Sequence, residues 1–324
     1  MERKRILYLI VLAAVSIILL YFLYPLLDGI VLGIVFAYIA YPVKTRLGRR
    51  MGGRSASLLA TLLIILPITA IILLGIFEMA SQAAALFRGS SYVTERFNVL
   101  LSSLSPQLRD LLSTVFEWFE SFFYASLSNL PVREYATEIA MLVLNGFIAV
   151  ISCYYYIADG KKLAGAIRGR VDDRTYSLLE KSSKKISDVF VGNFYSAIVV
   201  SLISLPFFLY FSIPFWAIAT GFMFIAAMIP IFAEWMVIVP VSLYVLLVQG
   251  WASFLVFLLV GIIFIYLIPE FILRPQLVGR YSSSHPLLLL LAFIGGGLTF
   301  GISGFFLAPM LICVALVLWE NPKG

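Results

Sequence analysis

The strongest constraint in this sequence is a series of apolar stretches, each roughly 18 to 25 residues long. Such stretches begin at Ile6, Ser55, Ala136, Ser187 and Ala252. A helix of that length crosses the ~30 Å hydrocarbon core of a bilayer, and helices satisfy their own backbone hydrogen bonds in lipid. Because 62% of the chain is hydrophobic and only 12% is charged, no soluble fold could bury so much apolar surface. The sequence therefore predicts an all-α, polytopic membrane protein.

Eight apolar segments can be delimited, and six of them have the length of one full span. The two others, 213–248 and 286–319, would each be about 50 Å long as straight helices. Both are interrupted near their centres, the first at Pro230 and the second by the glycine-rich run 295–304. We therefore predict two broken re-entrant hairpins, since lipid tolerates unwound backbone only where protein or water covers it. The six full spans are 6–24, 26–43, 55–77, 136–158, 187–211 and 252–269.

The second half of the chain has the arrangement of an inverted repeat. The span 187–211 precedes the first hairpin and the span 252–269 precedes the second, so the two units enter the membrane from opposite faces. Broken helices within inverted repeats are a recurring plan of secondary transporters. Double crossings in place of hairpins remain the alternative, because both arrangements put the charges on the same sides.

Basic residues predict the orientation. All but four of the 23 Lys and Arg residues then face the cytoplasm, in agreement with the positive-inside rule. Both termini are cytoplasmic in this arrangement, and the protein is a multi-pass protein of the cell membrane. The four exceptions are Arg88, Arg96, Arg109 and Arg133.

An extracytoplasmic insert separates the N-terminal spans from the rest of the chain. Within it, Ser105 and Pro106 begin an amphipathic helix whose aromatic face includes Phe116 and Phe119. Packing on the membrane interface and contact between the subunits of a homo-oligomer are both open for this face. The predicted regions are N-terminal membrane spans (1–77), the insert (78–135), a fourth span with a cytoplasmic basic segment (136–186) and a transport core (187–324).

Catalysis, metal binding and nucleic-acid binding find no support in the residues. The basic segment 159–185 lacks the Gly-rich phosphate loop of an ATP-driven pump, and no nucleophile or metal motif occurs. The basic residues lie in separate loops, so a nucleic-acid partner is not predicted. Cys153 and Cys313 lie inside apolar segments and are interpreted as packing residues. We predict neither an enzyme nor a cofactor.

Glu234 is the most informative polar residue, because a carboxylate that faced lipid would be costly. It must face a cavity, a partner or the interface. Asn193 either lines a site or hydrogen-bonds between helices. Glu270 and Arg274 are four residues apart and are predicted to pair on one helix face. His285, the lone histidine, either caps a helix or senses protons; with Glu270 and Arg274 it is assigned a structural or gating role.

Short motifs follow one another in a fixed order between residues 187 and 309. They are Gly192-Asn193, Ile229-Pro230, Leu273-Arg274-Pro275, His285-Pro286-Leu287, the glycine-rich run 295–304 and Ala308-Pro309. In this order, and in the plan of its N-terminal half, the chain resembles the autoinducer-2 exporter family of permeases. The resemblance implies transport of small hydrophilic molecules, and some relatives are described as sodium/proton antiporters. One departure is Ile231-Phe232-Ala233-Glu234, where the family usually has an aromatic or aliphatic residue followed by Gly and Pro.

The resulting hypothesis is an exporter of small polar solutes, similar to autoinducer-2, that works by alternating access around two hairpin tips. Its partners are the solute, the lipid bilayer and H⁺ or Na⁺ as a coupling ion, and a homo-oligomer is expected. The alternatives are a cation/proton antiporter that uses Glu234 and a non-transporting membrane scaffold. The residues assigned to the solute or ion pathway are Asn193, Pro230, Glu234, Gly295, Gly296, Gly297, Thr299, Gly301 and Ser303.

Overall fold

The computed structural model of the chain describes residues 2–71, eight scattered positions between 102 and 121, and residues 132–228, 234–273 and 285–321. The described part is helical and contains no strand. Its helices are α1 (Glu2–Leu23), α2 (Leu27–Leu47), α3 (Gly53–Ile71), α4 (Val132–Arg168), α5 (Asp173–Tyr210), α6 (Trp216–Ala227), α7 (Trp235–Gln249), α8 (Trp251–Gly261) and α9 (Pro286–Glu320).

Six stretches of helix in this part are long and apolar enough to cross a membrane. This finding confirms the predicted all-α, polytopic membrane protein. The helices α6 and α7 are shorter, at 12 and 15 residues, which corresponds to about 18 Å and 22 Å. Neither can cross ~30 Å of hydrocarbon alone.

The N-terminal segments are more continuous than the sequence suggests. We predict separate spans at 6–24 and 26–43, but a single 3₁₀ turn, Tyr24–Leu26, joins α1 to α2. The stretch Ala13–Leu47 therefore counts as one candidate span of 35 residues. Proline is well tolerated at the start of a helix, where its missing N–H has no partner to lose, and Pro25 occupies such a position.

The chain divides into two compact units. Unit 1 comprises Met1–Ile64, Arg133–Leu179 and Leu291–Ile312, and unit 2 comprises Ile65–Val132, Glu180–Leu290 and Cys313–Gly324. Each unit therefore combines segments that are far apart in sequence. The linear division into four regions stays a prediction.

Unit 1 is built on a close approach of α2 and α4. A Cβ added at Gly29 would meet the backbone oxygen of Asn145, and one added at Gly33 would meet the side chain of Ser152. Small residues four apart on one face are a common way for membrane helices to bring their backbones together. At the end of α2, the Lys44 ammonium donates to the Ile157 carbonyl at 3.0 Å.

Unit 2 is held together by aromatic packing and by polar contacts at its helix ends. The ring of Phe257 in α8 lies 4.8 Å from that of Phe207 and 5.0 Å from that of Phe211. The Gln249 amide donates to the Phe211 carbonyl at 2.6 Å. Lys185, which is buried, pairs with Glu320 at 2.7 Å, so the end of α9 lies beside the first half of α5.

The helices α6 and α7 form the first predicted hairpin. The ring of Phe215, the residue before α6, lies 5.1 Å from the ring of Tyr244 near the end of α7. This contact shows that the two helices run antiparallel. The tip of this hairpin, which includes Pro230, falls outside the described residues.

Most of the insert, 78–135, also falls outside the described residues. The eight described positions between 102 and 121 have helical backbone, and among them Arg109, Asp110 and Glu117 are exposed. These are residues that the sequence places away from the aromatic face. Phe116 and Phe119 are not among the described positions, so the role of that face stays a prediction.

Candidate functional site

The helix α9 is broken at its centre. Phe300 (φ −131°, ψ 21°) and Gly301 (φ 59°, ψ −138°) leave helical geometry. The positive φ of Gly301 is readily adopted only by glycine. The break divides α9 into a first arm, 286–299, and a second arm, 302–320, of about 21 Å and 28 Å.

The two arms fold back on each other. A Cβ added at Gly296 would meet the carbonyl oxygen of Gly304 and, at 2.7 Å, the Cβ of Ala308. In a continuous helix, residues eight apart are separated by about 12 Å. The rings of Phe293 and Phe305, one on each arm, lie 4.8 Å apart. The geometry is therefore that of a helical hairpin, called the α9 hairpin below.

Backbone carbonyl groups near the tip accept hydrogen bonds from nearby side chains. The Thr299 hydroxyl donates to the carbonyl oxygens of Gly295 (2.9 Å) and Gly296 (3.1 Å). The Ser303 hydroxyl donates to the Phe300 carbonyl at 3.0 Å. The side chains of Leu298 and Phe300 are 84% and 64% exposed. The tip thus combines polar backbone with exposed apolar side chains.

Asp28 completes the tip, and the sequence analysis did not identify it. The Ser303 N–H donates to Asp28 Oδ1 at 2.8 Å. This N–H belongs to the first turn of the second arm, where a helix has unsatisfied donors and a partial positive charge. The half-buried carboxylate therefore caps that arm. A signal was present, because Asp28 is a carboxylate inside the apolar segment 26–43, as Glu234 is in its own segment.

Asn145 supports the turn that carries Asp28. Its side-chain oxygen accepts from the Gly29 N–H at 2.7 Å, and its amide donates to the carbonyls of Pro25 (2.9 Å) and Met141 (3.0 Å). Asn145 is buried in α4. The residues on both sides of Asp28 are thus tied to α4.

The remaining pathway residues belong to unit 2, whereas the glycine-rich run belongs to unit 1. Asn193 lies in α5 and is 3% exposed, and Glu234, at the start of α7, is 2% exposed. Trp235 packs against Tyr266 with ring centroids 5.4 Å apart. A Cβ added at Gly297 would lie 3.4 Å from the Phe305 ring, whereas one added at Gly295 would face open space.

Two of the three residues assigned structural or gating roles, Glu270 and His285, are among the described residues. Glu270 lies in a π-helical segment, Ile262–Leu273, that continues α8 and contains Pro269. Arg274 is outside the described residues, so its pairing with Glu270 stays a prediction. His285 is exposed at the start of α9, where its Nδ1 accepts from the Leu287 N–H at 3.3 Å.

Among the described residues, no group of three His, Cys, Asp or Glu side chains is arranged to hold a metal ion. Cys153 and Cys313 are both buried and are not joined to each other. The polar groups that the structure describes at the α9 hairpin take part in hydrogen bonds. These groups are two hydroxyls, the backbone at the break and one carboxylate.

Comparison with known proteins gives a consistent result. The family described as AI-2E family transporter matches residues 9–322. A candidate transport protein of Archaeoglobus fulgidus is 41% identical over 308 residues, which is 93% of this chain and 89% of that protein. One from Methanothermobacter thermautotrophicus is 30% identical over 295 residues, which is 87% of this chain and 84% of that protein. One from Methanocaldococcus jannaschii is 24% identical over 311 residues, which is 93% of this chain and 92% of that protein.

Proposed function

The chain belongs to the AI-2E transporter family, and from this premise we propose that it exports small polar solutes, similar to autoinducer-2, by alternating access. The membership makes it a membrane transporter, which is not an enzyme. A non-transporting scaffold has no comparable support. The identity of the solute, the coupling to H⁺ or Na⁺ and the direction of transport are parts of the proposal.

The α9 hairpin is the observation that carries this proposal. Its backbone departs from helical geometry at Phe300 and Gly301, in the middle of a strongly apolar helix. Lipid penalises such backbone, which persists at membrane depth only where protein or a watery cavity covers it. Secondary transporters build their solute sites from broken helices of this kind.

The groups at the tip suit a hydroxylated solute. The Thr299 hydroxyl is exposed, and Asp28 contributes a half-buried carboxylate. Hydroxyl groups both donate and accept hydrogen bonds, so a small furanose-like molecule can use both kinds of partner. We expect Gly295, Gly296, Gly297, Thr299, Gly301 and Ser303 to line the solute pathway.

In this proposal both ends of α9 lie on the same side of the membrane, and this can be tested by labelling. Cysteines introduced at His285 and Asn321 bracket α9 and are expected to react with a membrane-impermeant thiol reagent from the same side. A cysteine at Gly250, the turn between α7 and α8, is expected to react from the opposite side. Labelling of positions 285 and 321 from opposite sides would show that α9 spans the membrane.

Cation/proton antiport is the second candidate function, and the burial of Glu234 favours it. A carboxylate that is 2% exposed in an apolar hairpin is a candidate for ion or proton transfer. Asn193, buried in the same unit, is the other polar residue that we assign to that pathway. In this function the carboxylate must exchange a proton for a cation.

Flux measurements with Glu234→Gln distinguish the two functions. Wild-type protein and the variant are reconstituted in proteoliposomes, and autoinducer-2 flux is measured together with Na⁺-driven proton movement. We expect the variant to retain solute flux, because glutamine preserves shape and hydrogen bonding. The antiporter is favoured if the wild type shows Na⁺-driven proton movement without solute flux and the variant loses that proton movement. Absence of both fluxes in the wild type would contradict both candidates.

The orientation of the protein, its contact with lipid and its oligomeric state are further parts of the proposal. We propose that both termini are cytoplasmic, as the positive-inside distribution of the basic residues predicts, and that the chain lies in the cell membrane. The large apolar side chains of α1 from Val11 to Phe22 are mostly exposed, as expected for a helix in contact with lipid. The homo-oligomer and the use of the insert as its contact remain part of the proposal.

A further inference from the structure

The hydrogen bond between Asp28 and Ser303 joins the start of α2 to the second arm of the α9 hairpin. The two residues are 275 positions apart in sequence and both belong to unit 1. The bond forms immediately after the break at Phe300 and Gly301. It therefore connects the tip of the hairpin to a helix outside the hairpin.

The two partners satisfy each other. The break leaves the first N–H groups of the second arm without carbonyls of a preceding turn, and the partial positive charge of the arm is concentrated there. The carboxylate of Asp28 lies in an apolar segment, where an unsatisfied charge is costly. The hydrogen bond of 2.8 Å between them gives the Ser303 N–H an acceptor and the Asp28 carboxylate a donor.

Asn145 holds the backbone on both sides of Asp28. Its contacts fix Gly29 on one side of Asp28 and Pro25 on the other. Gly29 also has no room to move toward α4, because even a Cβ there would meet the backbone oxygen of Asn145. The backbone around Asp28 is thus held while its side chain reaches outward to Ser303.

We propose that the hydrogen bond between Asp28 and Ser303 is a releasable latch on the α9 hairpin, and that Asn145 is the positioning residue of the latch. This inference rests on the proposed function, because release of the latch allows the second arm to move during transport. The backbone at Phe300 and Gly301 is the hinge. A hydrogen bond to a charged group changes a two-state population by about ten- to hundredfold, so one bond holds the arm and solute binding can release it.

A spin-label distance measurement tests the latch. Labels are attached at Phe147 in α4 and Leu311 in the second arm, which are 62% and 65% exposed and belong to the same unit. Cys153 and Cys313 are replaced by alanine. The full-length labelled protein is diluted with unlabelled protein before reconstitution without solute, so that only distances within one chain are recorded.

We expect a narrow distance distribution in the wild type and a second, released population in Asp28→Ala, increased by about tenfold or more because the charged hydrogen bond is lost. Asp28→Asn retains an acceptor oxygen and should largely restore the wild-type distribution. Asn145→Ala should also release the arm, and combining it with Asp28→Ala should add nothing, since both act through one bond. Ser57→Ala, which removes only a local bond to Gly53 within α3, is the control and should leave the distribution unchanged.

The latch is contradicted if Asp28→Ala keeps the wild-type distribution, or if Asn145→Ala increases the released population further when Asp28 has already been replaced by alanine. If Asp28→Ala does not insert, Asn145→Ala carries the same test, and Asp28→Asn is the variant that should keep the wild-type distribution. Solute flux is measured separately. If the variants release the arm but the wild type shows no solute flux, the proposed function is contradicted and the latch is supported. If the wild type shows flux but every variant keeps the wild-type distance distribution, only the latch is contradicted.

Discussion

Replacing Gly296 with alanine is expected to open the α9 hairpin and to abolish solute flux. The added Cβ would meet the Gly304 carbonyl oxygen, and it would lie 2.7 Å from the Cβ of Ala308. The obstacle is backbone, which cannot rotate away as a flexible side chain can. Overpacking of this kind costs typically ~1–3 kcal/mol and sometimes more, and here the arms can relieve it only by separating.

Gly295→Ala is the matched control for this prediction. The two glycines are neighbours on one arm, and alanine gains about 1 kcal/mol of helix propensity over glycine at either position. A Cβ at Gly295 meets nothing within 4 Å. We therefore expect Gly295→Ala to keep at least wild-type thermal stability. Gly304→Ala, on the other side of the contact, should reproduce the loss of stability and flux seen with Gly296→Ala. Melting temperature in detergent and flux in proteoliposomes are the two measurements. Wild-type values of both for Gly296→Ala would show that the arms do not depend on this contact.

The sequence predicts the helical hairpins because their causes are local. A proline without an N–H and a run of glycines interrupt apolar segments that are too long for one span. The structure has short antiparallel helices for the first hairpin and a reversal at Phe300 and Gly301 for the second. The re-entrant course of both through the membrane stays a prediction. The burial of Glu234 likewise agrees with the cost of a carboxylate that faces lipid.

The missed features depend on contacts that sequence periodicity does not encode. Asp28 meets Ser303 across 275 residues, and only the packing of α2 on α4 shows which face of α2 is directed toward the hairpin. The close approach of Gly29 to α4 is also a tertiary contact, because an added Cβ there would meet the backbone oxygen of Asn145. Continuity across Pro25 and the π-helical segment after Gly261 are two further features that the sequence prediction did not include.

Chemical modification of the hairpin tip tests the solute pathway with a large expected effect. Thr299 is exposed in the last turn before the break, and its hydroxyl bonds only to carbonyls of its own arm. Cysteine is close to threonine in size, so Thr299→Cys should preserve the hairpin and flux. A charged thiol reagent attached there is expected to fill the pathway. Lys162→Cys is the control, because its side chain is 75% exposed on α4, so it reacts without being part of the tip.

The most direct test of the central claim is solute flux through Thr299→Cys before and after reaction with a positively charged methanethiosulfonate reagent. The measurement is made in proteoliposomes, with Cys153 and Cys313 replaced by alanine and the extent of modification determined by mass spectrometry. Our account predicts that flux falls to background, that bound solute slows the reaction, and that fully modified Lys162→Cys retains its flux. Complete modification of Thr299→Cys with undiminished flux would place the α9 hairpin outside the pathway and contradict the account.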